Sequence, residues 1–319
     1  MPKSFSFIIF GASGDLTKRK LFPALLDLFS EKRLPEKFEI VGIGRTPYSD
    51  LEYRNYQLRQ LPKYIKPETW NEELVNSFIS HIRYETMDPA KEEGYYVLAK
   101  HLKASNSESV IYYLATPPLL YGVIPQHLKA FGLNDENTRI IVEKPFGYDL
   151  TSAKQLNDIY RDAFQEQQVY RIDHFLGKET AQNILAFRFA NSIFEPIWNR
   201  NYIDYVEITS VENLGIENRG GYYETAGTMR DMVQNHLVQL LALCAMEPPV
   251  KFDADSFRNE IVKVYDSLVP LTEDYIRENV IRGQYIAGGE QVGYRQEAHV
   301  SPDSRVETFF AMKAEIDNW

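Results

Sequence analysis

Asp173, His174 and Lys178 bring an acid, an imidazole and an ammonium into one short stretch of the chain. A glycine then leads into a helical pattern, residues 179–189. The start of a helix presents unpaired backbone N–H groups and a partial positive charge, and both favour anions. His174 and Lys178 beside such a start predict a phosphate-binding site, whereas Asp173 repels anions and predicts another partner, most simply a distant histidine. A capped helix start with a solvated charge cluster remains the alternative for this stretch alone.

His236 is the best candidate for that partner, because it lies in a helical pattern, residues 228–246, on a stripe of apolar side chains. The stripe consists of Met229, Met232, Leu240 and Leu243. An imidazole in apolar surroundings resists taking up charge, so it would accept a proton at neutral pH. A carboxylate, most naturally Asp173, would orient the ring and stabilise the imidazolium. Viewed alone, the commoner interpretation is a buried histidine with structural hydrogen bonds.

The same helical pattern carries a further acid, Asp231. The four residues from Thr228 to Asp231 have the form of a capping box, in which the two end side chains bond the first backbone N–H groups. This pattern predicts a helix that begins at Thr228, with Asp231 in a capping role.

The N-terminal residues have the order that begins a dinucleotide-binding domain. An apolar strand, residues 5–10, precedes a glycine turn, residues 11–16, and a helix, residues 17–30. The spacing is G-x-x-G, shorter than the full G-x-G-x-x-G, so a plain strand-to-helix turn remains the alternative. Three basic residues in the first helical turns add positive charge where a pyrophosphate would lie: Lys18, Arg19 and Lys20.

Arg45 follows the second predicted strand, residues 38–43. NAD enzymes usually have an acid here for the ribose 2′-hydroxyl, whereas an arginine suits the 2′-phosphate of NADP. The position therefore favours NADP over an exposed loop arginine without a ligand.

Two further strands end in residues suited to a ligand site. Residues 110–114 run into a double-proline turn, and residues 139–142 are followed by Glu143, Lys144 and Pro145. The carboxyl ends of parallel strands are where ligands bind in open α/β sheets, so Lys144 should face the crevice. Its peptide bond to Pro145 could be cis, as tight functional turns sometimes require.

The pattern predicts two domains. Strands alternating with helices indicate a Rossmann-type, doubly wound parallel sheet, an α/β dinucleotide-binding domain over residues 1–170, with residues 49–84 as polar helices. Residues 171–319 predict an α+β substrate domain with a mainly antiparallel sheet. Its strand-like runs are residues 202–211, 261–265, 280–286 and 306–316, with a glycine turn at 288–289.

Composition excludes several classes of partner. The net charge is −10, which disfavours nucleic acid and anionic membranes. No apolar run approaches the length of a membrane span, and no signal peptide is recognisable. A single cysteine cannot form an internal disulfide, so a cytoplasmic protein is expected.

Five blocks of this sequence together resemble the glucose-6-phosphate dehydrogenase family. The blocks are GASGDLTKRK (11–20), EKPFG (143–147), RIDHFLGKE (171–179), RFANSIFEPIWNR (188–200) and RDMVQNHL (230–237). The resemblance covers essentially the whole chain in order. It implies oxidation of D-glucose 6-phosphate at C1 to a 6-phosphogluconolactone, with NADP as the hydride acceptor, in the oxidative pentose phosphate pathway. Another sugar oxidoreductase with a Glu-Lys-Pro motif after a Rossmann strand remains the alternative.

The resemblance also implies a role for each candidate residue. His236 is the general base and Asp173 its partner, while His174 and Lys178 hold the 6-phosphate. Lys144 lies between sugar and nicotinamide. Two acids match positions that bind sugar hydroxyls: Glu212 and Asp231. The residues implied to bind the coenzyme are Gly11, Ser13, Gly14, Asp15, Leu16, Arg45, Tyr113 and Lys144. No metal is implied.

Two departures from the family pattern carry expectations of their own. Phe175 stands where members usually have tyrosine, so one hydroxyl donor to the phosphate is lost, at a cost of about 0.5–1.5 kcal/mol in substrate binding. The family's chains continue beyond the point that matches the end of this one, so we expect a fragment or shortened gene product with an incomplete large sheet. A non-catalytic NADP-binding module is therefore the alternative function. Full-length members form homo-oligomers, but the missing part carries much of the dimer interface, so oligomerisation is not predicted for this chain.

Overall fold

A computed structural model describes residues 3–67, 70–289 and 291–318. The chain divides into two compact units, Met1–Ile172 and Asp173–Trp319. None of the helices within the described ranges is long and apolar enough to cross a lipid bilayer.

The first unit is built on a six-stranded parallel sheet in the order β3-β2-β1-β4-β5-β6. The strands are β1 (Ser4–Phe10), β2 (Lys37–Gly44), β3 (Ile82–Thr86), β4 (Ser109–Leu114), β5 (Thr138–Val142) and β6 (Val169–Arg171). The helices are α1 (Phe22–Ser30), α2 (Asp50–Gln60), α3 (Glu72–Ser80), α4 (Glu93–Ser105), α5 (Val123–Ala130) and α6 (Leu150–Ala163). The strand order reverses between β1 and β4, which opens a crevice at their carboxyl ends. The predicted Rossmann-type sheet is confirmed.

Each face of this sheet is covered by its own apolar layer, as the alternation along β1 requires. Ile8 and Phe10 join a cluster with α4, α5 and α6, whereas Phe5, Phe7 and Ile9 join one with α1, α2 and α3. Both faces of the central strand β1 are therefore buried. β3 begins within the region predicted as helices only, residues 49–84, so that prediction is wrong for residues 82–84.

The second unit combines helices with a small antiparallel sheet. Its helices are α7 (Glu179–Phe189), α8 (Gly220–Thr228), α9 (Val238–Ala245), α10 (Ala254–Asp266) and α11 (Glu273–Asn279). Its strands are β7 (Val280–Gly283) and β8 (Phe309–Met312), which pair with each other. The prediction that this unit contains an antiparallel sheet is confirmed. Its described extent is two strands within the predicted runs 280–286 and 306–316.

Two strand predictions in this unit are wrong. Residues 202–211 form no strand and are mostly exposed, because an alternating side-chain pattern needs a neighbouring strand and none pairs with it in the described ranges. Residues 261–265 belong to α10 instead. The Asp253 carboxylate accepts a hydrogen bond from the Ser256 N–H at 2.8 Å and so starts that helix, which overrides the strand preference of a short β-branched run.

The helical pattern around His236 begins earlier than predicted. A π-helical segment, Met229–Leu237, joins α8 to α9 and is called the His236 segment below. α8 kinks at Gly227, where φ is +65°, and the Met229 N–H freed there donates to the Glu307 carboxylate at 3.0 Å. Because the helical chain already runs through Thr228, the predicted capping box is wrong, and Thr228 makes no capping hydrogen bond. π-Helical turns are rare and are often found at functional sites.

Arg188 fixes α7 to the end of α9. Its side chain is 4% exposed and donates to the carbonyls of Leu243 at 2.6 Å and Met246 at 2.7 Å. Burial lowers the pKa of Arg188 to about 10, so the group stays charged at neutral pH. The guanidinium thus satisfies carbonyls that the last helical turn leaves unpaired.

Replacing Arg188 with methionine should lower the free energy of unfolding by about 2–3 kcal/mol, because two charge-assisted hydrogen bonds to buried carbonyls are lost while the side-chain volume is largely kept. Urea unfolding followed by circular dichroism would measure the change. Arg258→Met is the matched control, since that side chain is 69% exposed. Equal stability of both variants would contradict the capping role.

Candidate active site

Asp173 and His236 form the closest contact between candidate catalytic groups. The Nδ1 atom of His236 lies 2.6 Å from Oδ1 of Asp173. Asp173 begins the turn that follows β6, and His236 lies near the end of the His236 segment. The ring is 0% exposed and the carboxylate side chain is 17% exposed. With Nδ1 donating to Asp173, Nε2 is the nitrogen that carries the basic lone pair.

The carboxylate of Asp173 is held in its ionised form. Burial by itself raises the pKa of Asp173, but three opposing effects together bring it below its ordinary value. These are the hydrogen bond with His236, the hydrogen bond from the Phe175 backbone N–H at 2.9 Å, and the charge of His236 and His174. Asp173 is therefore anionic at neutral pH and can stabilise an imidazolium.

Two aromatic side chains, Phe175 and His174, pack against the imidazole ring of His236. The Phe175 ring stacks on the imidazole with centroids 3.9 Å apart and planes 14° apart. His174 approaches edge-on, with its centroid at 4.7 Å, and Lys178 places its Nζ 3.6 Å from the Phe175 ring centroid. From the sequence, Phe175 was noted only because it lacks the hydroxyl of the tyrosine that family members usually have at this position. Its position two residues after Asp173 was the available signal that it would lie beside the same partner.

The two predicted phosphate ligands lie where the chain turns into α7. His174 and Lys178 are exposed, and Lys178 immediately precedes the first residue of the helix. The turn is closed by hydrogen bonds from the Leu176 N–H to the Asp173 carbonyl at 3.2 Å and from the Lys178 N–H to the Phe175 carbonyl at 3.1 Å. The arrangement presents an imidazole and an ammonium group beside a helix start, which suits an anion.

The two acids predicted to bind the sugar, Asp231 and Glu212, differ in burial and in hydrogen bonding. Asp231 is 4% exposed and accepts hydrogen bonds from Tyr222 at 2.9 Å and Arg219 at 3.2 Å. It lies on the His236 segment, one turn before the histidine. Glu212 is exposed in an irregular part of the chain, and no described contact joins it to Asp173 or His236. Neither Arg219 nor Tyr222 was predicted as a partner of Asp231.

Asp173, His174 and His236 also have the side-chain types of a metal site. Their possible ligand atoms lie within 4.8 Å of one another. Asp173 and His236 are bonded to each other through Oδ1 and Nδ1, however, which is the geometry of an acid–base pair. The absence of a metal stays a prediction.

In the first unit, the glycine turn lies at the crevice between β1 and β4. Gly11 has φ +89°, and a Cβ there would lie 2.2 Å from the Ala115 carbonyl oxygen. The Gly14 N–H donates to the Gly11 carbonyl at 2.9 Å and closes the turn. Only glycine permits this close approach of two backbones, which leaves room for a phosphate beside the turn.

Replacing Gly11 with alanine should destabilise the first unit by about 2 kcal/mol or more, because backbone strain at positive φ adds to a steric clash. Gly132→Ala is the matched control: its φ is +66°, yet no atom lies within 4 Å of the added Cβ. That control should cost about 1 kcal/mol. Thermal unfolding would measure both variants, and equal losses would show that the contact with Ala115 contributes nothing.

The other predicted coenzyme residues lie around the same edge of the sheet. Ser13 faces the Tyr84 hydroxyl, and burial raises the pKa of Tyr84 to about 12. Asp15 pairs with Lys18 at 3.1 Å and with Arg19 at 3.0 Å, so these basic residues are partly neutralised within the first helical turns. Leu16 is partly buried against the cluster of α1, α2 and α3.

Three more residues follow the carboxyl ends of neighbouring strands. Arg45 is exposed directly after β2, and Lys144 follows β5 with a cis peptide bond to Pro145. Tyr113, near the end of β4, donates a short hydrogen bond to the Glu143 carboxylate. Burial, and then this carboxylate, raises the pKa of Tyr113. The bond between Tyr113 and Glu143 was not predicted.

Comparison with known families matches both units. The family model "Glucose-6-phosphate dehydrogenase, NAD binding domain" matches residues 8–183, and "Glucose-6-phosphate dehydrogenase, C-terminal domain" matches residues 185–319. The first match confirms the prediction of a nicotinamide dinucleotide as cofactor.

Curated relatives agree with these matches. The glucose-6-phosphate 1-dehydrogenase of Aggregatibacter actinomycetemcomitans is 48% identical over 98% of this chain and 65% of its own length. That of Treponema pallidum is 47% identical over 98% of this chain and 63% of its own length. This chain therefore spans just under two thirds of the length of these relatives.

Solved structures show the same similarity. A glucose-6-phosphate dehydrogenase in complex with its substrate glucose-6-phosphate has a TM-score of 0.87 at 36% identity, over 98% of this chain and 66% of that one. Glucose-6-phosphate 1-dehydrogenase from Mycobacterium avium has a TM-score of 0.87 at 35% identity, over 99% of this chain and 67% of that one. With both domain models matched in order along its length, this chain belongs to the glucose-6-phosphate dehydrogenase family.

Proposed function

We propose that this protein oxidises D-glucose 6-phosphate at C1 to 6-phosphogluconolactone and transfers the hydride to NADP, as a step of the oxidative pentose phosphate pathway. The observation that carries the proposal is the 2.6 Å contact between Asp173 and His236 in a chain that matches both family domains. The names of the curated relatives support the same activity. The cytoplasmic location and the domain boundary near residue 170 remain predictions.

His236 supplies the proton acceptor. Its Nε2 takes the proton of the C1 hydroxyl, and the anionic Asp173 stabilises the imidazolium that results. The stacked Phe175 ring covers one face of the imidazole. Because the ring is 0% exposed, substrate must displace a neighbouring side chain to reach Nε2.

The cationic turn before α7 supplies the anchor for the substrate. We assign the 6-phosphate to His174 and Lys178, which are exposed beside a helix start. The sugar hydroxyls are assigned to Asp231 and Glu212, and Lys144 is assigned to the contact between sugar and nicotinamide. The carboxylate of Asp231 is held by hydrogen bonds from Tyr222 and Arg219.

The residues of the first unit fit a bound NADP. The close contact of Gly11 with the Ala115 carbonyl leaves the glycine turn without side-chain bulk, as a pyrophosphate requires. Arg45, exposed after β2, would pair with the 2′-phosphate. Ser13, Gly14 and the following residues complete the turn, and Tyr113 lies on the neighbouring strand. When bound, the nicotinamide supplies the hydride acceptor.

The test is an assay of the purified chain with NADP and either glucose 6-phosphate or glucose, following the absorbance of reduced coenzyme. The proposal predicts turnover with the phosphorylated sugar and a kcat/KM roughly 10²- to 10⁴-fold lower with glucose, because contacts to the phosphate are lost. NADP binding without turnover, measured by calorimetry, would support the alternative of a non-catalytic module. Equal turnover of both sugars would point to another sugar oxidoreductase.

A further inference from the structure

One oxygen of the Asp173 carboxylate is left without a partner. Oδ1 accepts hydrogen bonds from the His236 ring and the Phe175 N–H. Oδ2 is buried and has no hydrogen-bond partner in the described part of the chain. A buried carboxylate oxygen that lacks a donor costs free energy, and such oxygens are nearly always satisfied in folded proteins. Asp173 therefore requires a donor on the side away from His236.

Tyr265, on α10, carries a buried donor that also lacks a partner among the described residues. Its ring packs on the same apolar cluster as Leu176 and Leu240, which lie three residues after Asp173 and four after His236. No hydrogen bond joins the hydroxyl to the Asp173 carboxylate directly, but the two groups interact through the charge of the carboxylate. Burial, with a further contribution from the Asp173 charge, raises the pKa of Tyr265 to about 12. Tyr265 thus remains a protonated donor at neutral pH.

We infer that Tyr265 is a positioning residue for the Asp173–His236 pair: its hydroxyl donates to Oδ2 of Asp173 through one bridging water molecule. This inference rests on the proposed function for its catalytic consequence, but not for its geometry. Within the described ranges, the Tyr265 hydroxyl is a buried donor without a partner, and Oδ2 of Asp173 is a buried acceptor without one, so a bridging water would satisfy both atoms. Asp173 would then be fixed through both oxygens.

The expected effect is on the basicity of Asp173. A donor at Oδ2 withdraws negative charge from the carboxylate, so removing it strengthens the attraction between Asp173 and a protonated His236. Among the described residues, His174 acts on Asp173 through its charge, Lys178 lies over the Phe175 ring, and Asp231 lies on the His236 segment itself. None of them is altered by a substitution at Tyr265, so a change in the titration of His236 reports on the hydroxyl.

The experiment is the substitution Tyr265→Phe in this 319-residue chain, read by NMR of the ¹³C-labelled His236 ring over a pH series without substrate. The titration midpoint of His236 should move upward by about half a pH unit. Tyr202→Phe, which removes a hydroxyl from a side chain that is 70% exposed, should leave the midpoint unchanged. An unchanged midpoint in Tyr265→Phe, or a downward shift, would overturn the inference.

A second measurement separates this inference from the proposed function. In any preparation that oxidises glucose 6-phosphate, Tyr265→Phe should move the acid limb of the kcat/KM profile in the same direction as the NMR midpoint, with little change in KM. A variant that loses activity at every pH with no shift would show that the ring serves packing alone and would overturn the positioning role. The NMR shift does not require turnover, so an inactive chain would count against the proposed function only.

Discussion

Replacing His236 with asparagine is expected to lower kcat/KM by roughly 10²- to 10⁴-fold, the usual contribution of a general base. The asparagine amide can take the place of Nδ1 and still donate to Oδ1 of Asp173, but it offers nothing basic where Nε2 lay. The hydrogen bond is thereby kept and the proton acceptor removed. Steady-state rates of coenzyme reduction with glucose 6-phosphate would measure the loss.

The matched control is His299→Asn. His299 is exposed and has φ +65°, a conformation that asparagine adopts more readily than most residues. This control should retain the activity of the parent protein. Full activity in His236→Asn would mean that another group accepts the proton, and the assignment of the base would have to be withdrawn.

The second large effect is expected for Asp173→Asn, with a loss of about 10²- to 10⁴-fold in kcat. The new amide group donates to Nδ1 instead of accepting from it, so the ring proton moves to Nε2, where the substrate proton should be received. The imidazolium also loses its counter-charge. KM should change less than kcat, because Asp173 is not assigned to the substrate. Asp204→Asn, at an exposed position, is the control.

The effect of Asp173→Asn on stability should depend on pH, and this can be measured without an activity assay. The pKa of Asp173 lies below its ordinary value of 3.8 in the folded protein. The ionised carboxylate therefore contributes stability that is fully present above that ordinary value and is lost as the pH falls through the folded value. The stability difference between the parent protein and Asp173→Asn should be largest near neutral pH and shrink below pH 3.8. A difference that grows on acidification would contradict this.

The sequence alone predicted those parts of the molecule that depend on local pattern. The strand, glycine turn and helix around Gly11 form as expected, because apolar runs and glycine spacing specify them within a few residues. The contact between Asp173 and His236 was also anticipated, because a carboxylate in a turn predicted to bind an anion needs a partner elsewhere in the chain. Their catalytic roles remain predictions.

The predictions that were wrong or incomplete concern residues whose structure depends on contacts or helix starts elsewhere in the chain. The alternation over residues 202–211 satisfied the pattern of a strand, but a strand forms only beside another strand. Residues 261–265 were decided by a helix start several residues earlier, at Asp253. Phe175 was interpreted through the hydroxyl that it lacks, and its position two residues after Asp173, which places its ring on His236, was not used.

The most direct test of the pairing is a double-mutant cycle of Asp173→Asn and His236→Asn, with kcat/KM measured for the parent protein, each single variant and the double variant. If the two side chains act as one acid–base unit, the double variant should be no more impaired than the worse single variant, within a factor of about three. Losses that multiply in the double variant would show that the two residues act independently, and the account of His236 as a base oriented by Asp173 would be contradicted.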